Sequence, residues 1–334
     1  MSGGPRVSVV LPFRDAAATL PAALDSIAAQ TFADWEGLLI DDGSVDESAA
    51  LARARAAEDR RWRVLTAGGG IVDALNRGIA AARAPLIARM DADDIALPQR
   101  LAKQVAAFAA DPTLTVASCL VEAFPARDVT DGMRRYIEWL NGLISAEAIR
   151  DALFVESPIA HPTAVVRSDA LRAAGGYRAF DGPEDYDLWL RLLLDGGRAV
   201  KVPEVLLRWR ESPRRLSRVD PRCHRRRFFA TKVAHLPRVL SPGTPIQIWG
   251  AGPTGRQWAR ALGARAYPIR RFYDVAPKRW GRLIDGVPVQ PPAAPDPAHG
   301  FLLAAAGTPG AREKIERWCG EHGLRRWEHY LAVA

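Results

Sequence analysis

Short apolar runs alternate with amphipathic stretches from Val7 to Met90. Val7 to Leu11, ending at Pro12, then Trp35 to Ile40, Trp62 to Leu65 and Pro85 to Met90 each predict a buried strand. Pro21 opens a helix whose Leu20, Leu24 and Ile27 share one face, and Ser48 to Asp59 predicts a second helix. Beyond Gly68-Gly69-Gly70, a third carries Ala74, Leu75, Ile79 and Ala82. Strands that are apolar throughout, alternating with helices, predict an α/β domain built on a parallel, doubly wound sheet. Ligands of such sheets bind beyond the carboxyl ends of the strands. Pro12, Asp41-Asp42-Gly43-Ser44 and Asp91-Ala92-Asp93-Asp94 all fall at those ends, so they are expected to line one crevice.

The last of these segments holds three carboxylates in four positions. Side chains alternate faces along a strand, which puts Asp91 and Asp93 on the same side. Carboxylates aimed at one spot repel unless a cation sits there, and hard oxygen ligands suit Mg²⁺ or Mn²⁺. A plainer reading is an acidic turn, Asp93, Asp94 and Pro98, capping a helix that starts near Leu97. Capping alone does not predict that the acidic turn at Asp41 shares its location.

Further along, Val116 to Val121 reads as a strand and Asp131 to Leu153 as helical. Ser157 to Thr163, which includes His161, leads into a strand at Ala164 to Arg167 and then Gly175-Gly176-Tyr177. In Gly182 to Arg191, Pro183 marks a helix start, the leucines supply a buried face, and Glu184, Asp185 and Asp187 crowd the first turn. One acid would satisfy the helix dipole; two adjacent ones leave a carboxylate for chemistry.

A Pro/Gly linker, Leu236 to Pro245, precedes a second alternating stretch. The strand Ile246 to Trp249 runs into Gly250-Ala251-Gly252-Pro253-Thr254-Gly255 and a helix to about Leu262. That is GxGxxG in its strand–turn–helix context, with Asp274 following at the end of the strand Arg271 to Tyr273. Val287 to Val289, Phe301 to Ala306, a helix from Ala311 to Cys319 and Tyr330 to Ala334 complete a small Rossmann-like unit. Gly250, Gly252, Gly255 and Asp274 are its candidate nucleotide-binding residues. A packing or dimerisation module that keeps the glycines for the tight turn is the alternative. The expected organisation is a domain over 1–217, a basic helical connector over 218–244, and the second domain over 245–334.

Composition narrows the partners. The 334 residues are 48% hydrophobic and carry a formal charge of +8, much of it between Arg208 and Arg227. So concentrated a basic run suits a diphosphate, met by a closing loop, or an anionic lipid face, with a solvated surface as the plain alternative. Nucleic acid is not among the expected partners. Three widely separated cysteines, with no CxxC, argue against a disulfide framework or zinc site and for a reducing cytosol. Met1 to Arg6 has no apolar signal core and no window approaches a membrane span, so the expectation is a cytoplasmic protein, at most peripheral to the inner face of the membrane.

From Val7 to Ser217 these segments together resemble the family 2 glycosyltransferases, inverting enzymes with the GT-A fold. The resemblance rests on the strand before Pro12, Asp41-Asp42-Gly43-Ser44, Ala74-Leu75-Asn76-Arg77-Gly78, Asp91-Ala92-Asp93-Asp94, and Gly175-Gly176-Tyr177 followed by Glu184-Asp185. It implies a nucleotide-sugar donor, UDP-linked, held by Pro12, Asp41, Asp42, Asn76, Asp91 and Arg210, with Mn²⁺ or Mg²⁺ on Asp91 and Asp93. Asp185 would be the catalytic base with Glu184 beside it, and the acceptor a glycan or lipid-linked saccharide of the bacterial surface. Phe13-Arg14-Asp15 departs from the Thr-Tyr-Asn common in the family, and Glu211 or Ser212 stands where many members carry a metal-binding His. His161 is the nearest candidate replacement. A nucleotidyltransferase also uses paired aspartates, but Pro12-Phe13-Arg14-Asp15-Ala16 is no phosphate loop. A non-catalytic sugar-nucleotide sensor is disfavoured by the intact aspartates and favoured by the missing His.

Overall fold

The computed structural model describes residues 4–213, 215–292, 299–308 and 310–334, apart from the side chains of residues 216 and 217. Two compact units divide the chain: Met1–Arg150 with Pro158–Phe228, and Asp151–Ser157 with Phe229–Ala334. The division falls inside the segment read above as a connector.

In chain order the first elements are β1 (Val7–Phe13), α1 (Leu20–Ala28), β2 (Trp35–Asp41), α2 (Ser48–Glu58), β3 (Trp62–Thr66), α3 (Ile71–Ala81) and β4 (Leu86–Arg89). β1 is buried throughout, as a central strand should be, and pairs in parallel with β2 on one side and β4 on the other. Next come β5 (Ile95–Ala96), α4 (Arg100–Ala110), β6 (Leu114–Phe124), α5 (Asp131–Gly142), α6 (Ala146–Ala152), β7 (Val165–Arg167) and α7 (Ser168–Ala173). α8 (Glu184–Leu194), β8 (Arg198–Arg210), α9 (Leu216–Val219) and α10 (Arg225–His235) follow.

The first sheet runs β3-β2-β1-β4-β7-β6-β8-β5. It is parallel from β3 to β4 and again between β6 and β8, whereas β7 is antiparallel to both β4 and β6, and β5 is antiparallel to β8. The all-parallel expectation is therefore corrected to a mixed sheet. The predicted helix from Asp131 to Leu153 is two helices, broken between Gly142 and Ala146. Packing explains one conspicuous glycine. A Cβ on Gly78 of α3 would meet Val10 Cγ1 at 2.5 Å, so α3 lies against β1 as closely as a bare backbone allows.

The second unit contains β9 (Ile246–Trp249), α11 (Pro253–Gly263), β10 (Ile269–Tyr273), β11 (Leu283–Ile284), β12 (Val287–Gln290), β13 (Phe301–Ala304), α12 (Ala311–Glu321) and β14 (Tyr330–Ala332). Its sheet order is β11-β12-β10-β9-β13-β14, all parallel except the β11–β12 hairpin. A Cβ on Gly255 would fall 1.8 Å from the Gly250 carbonyl oxygen, so the turn closes only with glycine there. Among the described residues, no helix is long and apolar enough to cross a membrane.

Candidate active site

β4 stops at Arg89, and Asp91 to Asp94 form the turn that leads into β5. The carboxylates of Asp91, Asp93 and Asp94 converge there, with ligand oxygens within 4.8 Å of one another. Convergence comes from the turn rather than from strand alternation, and for that reason it also takes in Asp94. Asp94 is 1% exposed; its Oδ1 accepts the Arg210 backbone N–H at 2.7 Å, and its Oδ2 has no hydrogen-bond partner among the described residues. Burial, reinforced by the Asp91 charge, pushes the Asp93 carboxyl up to about 6 and Asp94 well above the usual carboxylate range. An all-oxygen cluster with one buried oxygen unsatisfied, short of positive charge, fits a hard divalent cation.

Two buried cations brace the turn. Arg89 is 6% exposed and sets its Nη2 2.5 Å from Asp91 Oδ1, while its Nη1 donates to the Met90 carbonyl. Burial works against its charge, but Asp91 and Tyr177 more than offset that and raise its pKa. Arg100, fully buried, donates to the Arg89 carbonyl at 2.7 Å and to Gln104 at 3.1 Å. Neither arginine was singled out from sequence. The available signal was a charge inside an otherwise apolar run, immediately before paired aspartates.

α8 presents the second pair of acids. Its core is Tyr186, Leu188, Trp189 and Leu190, each 0% exposed, so the helix start is rigid. Asp187 bonds Arg191 at 2.7 Å, and Arg191 donates to the carbonyls of Ala174 and Gly176, tying α8 to the Gly175-Gly176-Tyr177 loop. Asp185 Oδ1 accepts the Tyr186 N–H at 2.7 Å, which leaves its other oxygen for a substrate. Burial and then Glu184 raise the Asp185 carboxyl to about 7. Burial likewise raises Glu184, which is 7% exposed and lies 3.8 Å from Arg222 Nη1. Arg89 exerts its field on Asp185 and Glu184 as well as on Asp91, so one buried cation serves both acidic groups.

The donor-side candidates fall on the same carboxyl edge. Pro12 lies in register with Ile40, and Phe13 with Asp41. Asp41 Oδ1 accepts the Ser44 N–H at 2.9 Å, and Asp42 Oδ1 accepts the Gly70 N–H at 3.0 Å, joining two loops at this edge. Asn76 has a different position: both ends of its amide are spent on the Tyr177 backbone, at 2.8 and 2.9 Å. Arg210 donates from Nε to the Asp93 carbonyl at 2.7 Å and stacks over Phe124.

Where a metal-binding His is common in the family, Glu211 is 2% exposed and paired with Arg215 and Arg218. Arg215 in turn lies over the Trp209 ring and, with Arg210, contributes positive field at Asp93. His161 bonds the Tyr177 hydroxyl through Nε2 at 2.7 Å and packs against Trp189; burial and Arg89 hold it well below its usual pKa, hence neutral. It is not in the acidic cluster around Asp93. In the second unit, Asp274 accepts N–H bonds from Ala251 at 3.0 Å and Ala276 at 2.9 Å and pairs with Arg279 at 2.5 Å, so both its oxygens are engaged.

Solved structures share this architecture. The S. aureus TarS 1–349 structure in complex with UDP-GlcNAc superposes with a TM-score of 0.57 at 16% identity, covering 71% of this chain and 67% of that one. The mannosyltransferase PcManGT from Pyrobaculum calidifontis, in complex with GDP-Man and Mn²⁺, gives 0.50 at 21% identity over 71% and 63%. The first unit is thus a GT-A fold. The chain belongs to glycosyl transferase family 2, whose model matches residues 8–174. EpsE of Bacillus subtilis (strain 168) is 31% identical over 222 residues, which covers 63% of this chain and 75% of that protein. The amylovoran biosynthesis glycosyltransferase AmsE of Erwinia amylovora is 30% identical, over 57% of this chain and 70% of the relative. For the O-antigen biosynthesis glycosyltransferase WbnJ of Escherichia coli the figures are 31%, 56% and 72%.

Proposed function

We propose that this protein transfers a sugar, with inversion, from a nucleoside diphosphate donor, UDP-linked, to a hydroxyl of a growing surface glycan or lipid-linked saccharide. One observation carries the reading. Asp185 stands on a rigid helix start with its carboxyl raised to about 7 and one oxygen free, under the field of the same Arg89 that pairs with Asp91. A carboxylate poised near neutrality is a competent general base. It takes the proton of the acceptor hydroxyl as that oxygen bonds to the anomeric carbon, and the carbon–oxygen bond to the diphosphate breaks with its electrons leaving on the nucleotide. Direct displacement inverts the centre.

Asp91, Asp93 and Asp94 would hold Mn²⁺ or Mg²⁺, which neutralises negative charge developing on a diphosphate leaving group. Arg210 and Arg215 stand near Asp93 and add positive field on the same side. Asp41 and Asp42 would receive the nucleoside. PcManGT, seen with GDP-Man and Mn²⁺, and TarS, seen with UDP-GlcNAc, support a nucleotide sugar and a divalent ion. The surface-polysaccharide names of AmsE and WbnJ support the acceptor class. Calorimetric titration of UDP tests the donor side: affinity should be markedly higher in Mn²⁺ than in EDTA, and Asp93→Ala should remove the difference. Equal affinity in both buffers for the parent protein would refute the metal assignment.

A further inference from the structure

The second unit has a strongly basic cavity of about 310 Å³ beside the α11 helix, lined by Arg256, Arg260, Lys278, Arg279 and Arg282. Its charges are not balanced locally. Arg279 is neutralised by Asp274, and Arg260 lies 3.6 Å from Asp285. Arg256, Lys278 and Arg282 have no carboxylate partner among the described residues. Among the described residues, the Arg256 side chain bonds the Ala251 carbonyl alone. Three uncompensated cations around one cavity repel one another, and an anion carrying two or three charges relieves that repulsion. Guanidinium groups suit phosphate oxygens in particular.

A second feature adjoins the cavity. A groove of about 570 Å³ shares Arg260, Ile284 and Asp285 with it as a common wall. Beyond that wall the groove is apolar, formed by Ala259, Tyr267, Pro268, Ile269, Phe272 and Val287. The Tyr267 hydroxyl is already bonded to the Leu240 carbonyl, and the groove's other polar side chains, Arg260 and Asp285, lie 3.6 Å from each other in its shared wall. Asp274, the acid expected from the sequence to bind a nucleotide here, has both oxygens engaged, and the Arg279 guanidinium lies 4.0 Å from where a Cβ on Gly252 would stand. α11 supplies Arg260 to the shared wall, and the β11–β12 hairpin supplies Ile284 and Asp285. Its turn, Asp285-Gly286, has positive φ at both positions, the tight two-residue form that fixes Ile284 and Asp285 in place.

We propose that this unit binds a phosphorylated amphiphile, with the phosphate or diphosphate head among Arg256, Lys278 and Arg282 and the hydrocarbon portion along the Phe272–Ile284 groove. Charge fixes the head and the lining fixes the tail; a nucleotide would set its base against a mostly apolar surface.

Isothermal titration of the full chain in EDTA tests this with three probes: pyrophosphate, farnesyl diphosphate below its micellar concentration, and UDP. Farnesyl diphosphate should bind at least ten-fold more tightly than pyrophosphate, and UDP no more tightly than pyrophosphate. The double substitution Lys278→Glu with Arg282→Glu alters two exposed side chains with no described partner, and it should weaken farnesyl diphosphate at least ten-fold. Asp93→Ala should leave that binding unchanged, which separates this site from the donor site of the first unit. Absence of farnesyl diphosphate binding to the parent chain, undiminished binding by the double variant, or UDP binding as tightly as farnesyl diphosphate would each overturn the proposal.

Discussion

Replacing Asp93 by Asn should stabilise the protein when no divalent cation is present. Three carboxylates with oxygens within 4.8 Å of one another carry a repulsion that can be sized. Two unit charges at that distance interact by roughly 3.5 kcal/mol at an effective dielectric constant of about 20. The rise of Asp93 from 3.8 to about 6, caused first by burial and then by the Asp91 charge, puts the cost of keeping it ionised at neutral pH at about 3 kcal/mol. The folded-state pKa is raised, so this penalty is absent below about pH 4, grows as pH rises toward 6, and is fully present at pH 7.5. Asn keeps the shape and removes the charge. In EDTA at pH 7.5 its melting temperature should rise by roughly 6–12 °C, taking about 2–4 °C per kcal/mol for a domain of this size. Saturating Mn²⁺ should close most of that gap: a hundred-fold excess over Kd stabilises the parent by about 2.7 kcal/mol, and the variant much less. Differential scanning calorimetry in the two buffers reads both effects. A variant that melts lower than the parent in EDTA, or that gains as much from Mn²⁺, refutes the charge-cluster reasoning.

Glu211→Gln should destabilise the first unit by about 2 kcal/mol, below the 3–5 typical of a fully buried pair because Arg218 is 42% exposed, and urea unfolding would measure it. The same change frees Arg215, so KM for the donor should move more than kcat. Asn76→Ala removes both bonds to the Tyr177 backbone, and loosening of the Gly175-Gly176-Tyr177 loop should appear as faster amide exchange there, with an activity loss of ten-fold or more. Gly255→Ala drives a Cβ to 1.8 Å from the Gly250 carbonyl and should cost the second unit about 3 kcal/mol, measurable as a lower unfolding midpoint.

The strand–helix alternation from β1 to β4 is legible because each strand is a continuous apolar run, the mark of a sheet covered on both faces. β8 is hidden by the opposite property. Arg198, Lys201, Glu204, Arg208 and Arg210 interrupt its apolar residues, so neither strand nor helix periodicity stands out, and its pairing with β6 depends on residues some eighty positions away. The antiparallel direction of β7 is equally invisible, since three residues carry no signal of orientation. Within the site, the acids were legible by type and spacing, whereas their convergence depends on a turn whose geometry the sequence does not display. Arg89 was masked by its apolar neighbours, and the clamp made by Asn76 required knowing that α3 meets the Tyr177 loop. In the second unit the glycine turn was legible; the basic cavity was not, because its cations come from α11 and from the segment between β10 and β11.

The central claim is that Asp185 is the base, and Asp185→Asn tests it most directly. Parent kcat/KM should rise with pH through about 7 to a plateau as the Asp185 carboxyl loses its proton. The Asn variant keeps the side chain's shape but cannot take a proton, so turnover at the plateau should fall roughly 10²- to 10⁴-fold, while UDP affinity in Mn²⁺ changes by less than about two-fold. Transfer preserved alongside weakened donor binding would contradict the account and move the base elsewhere, to Glu184 first.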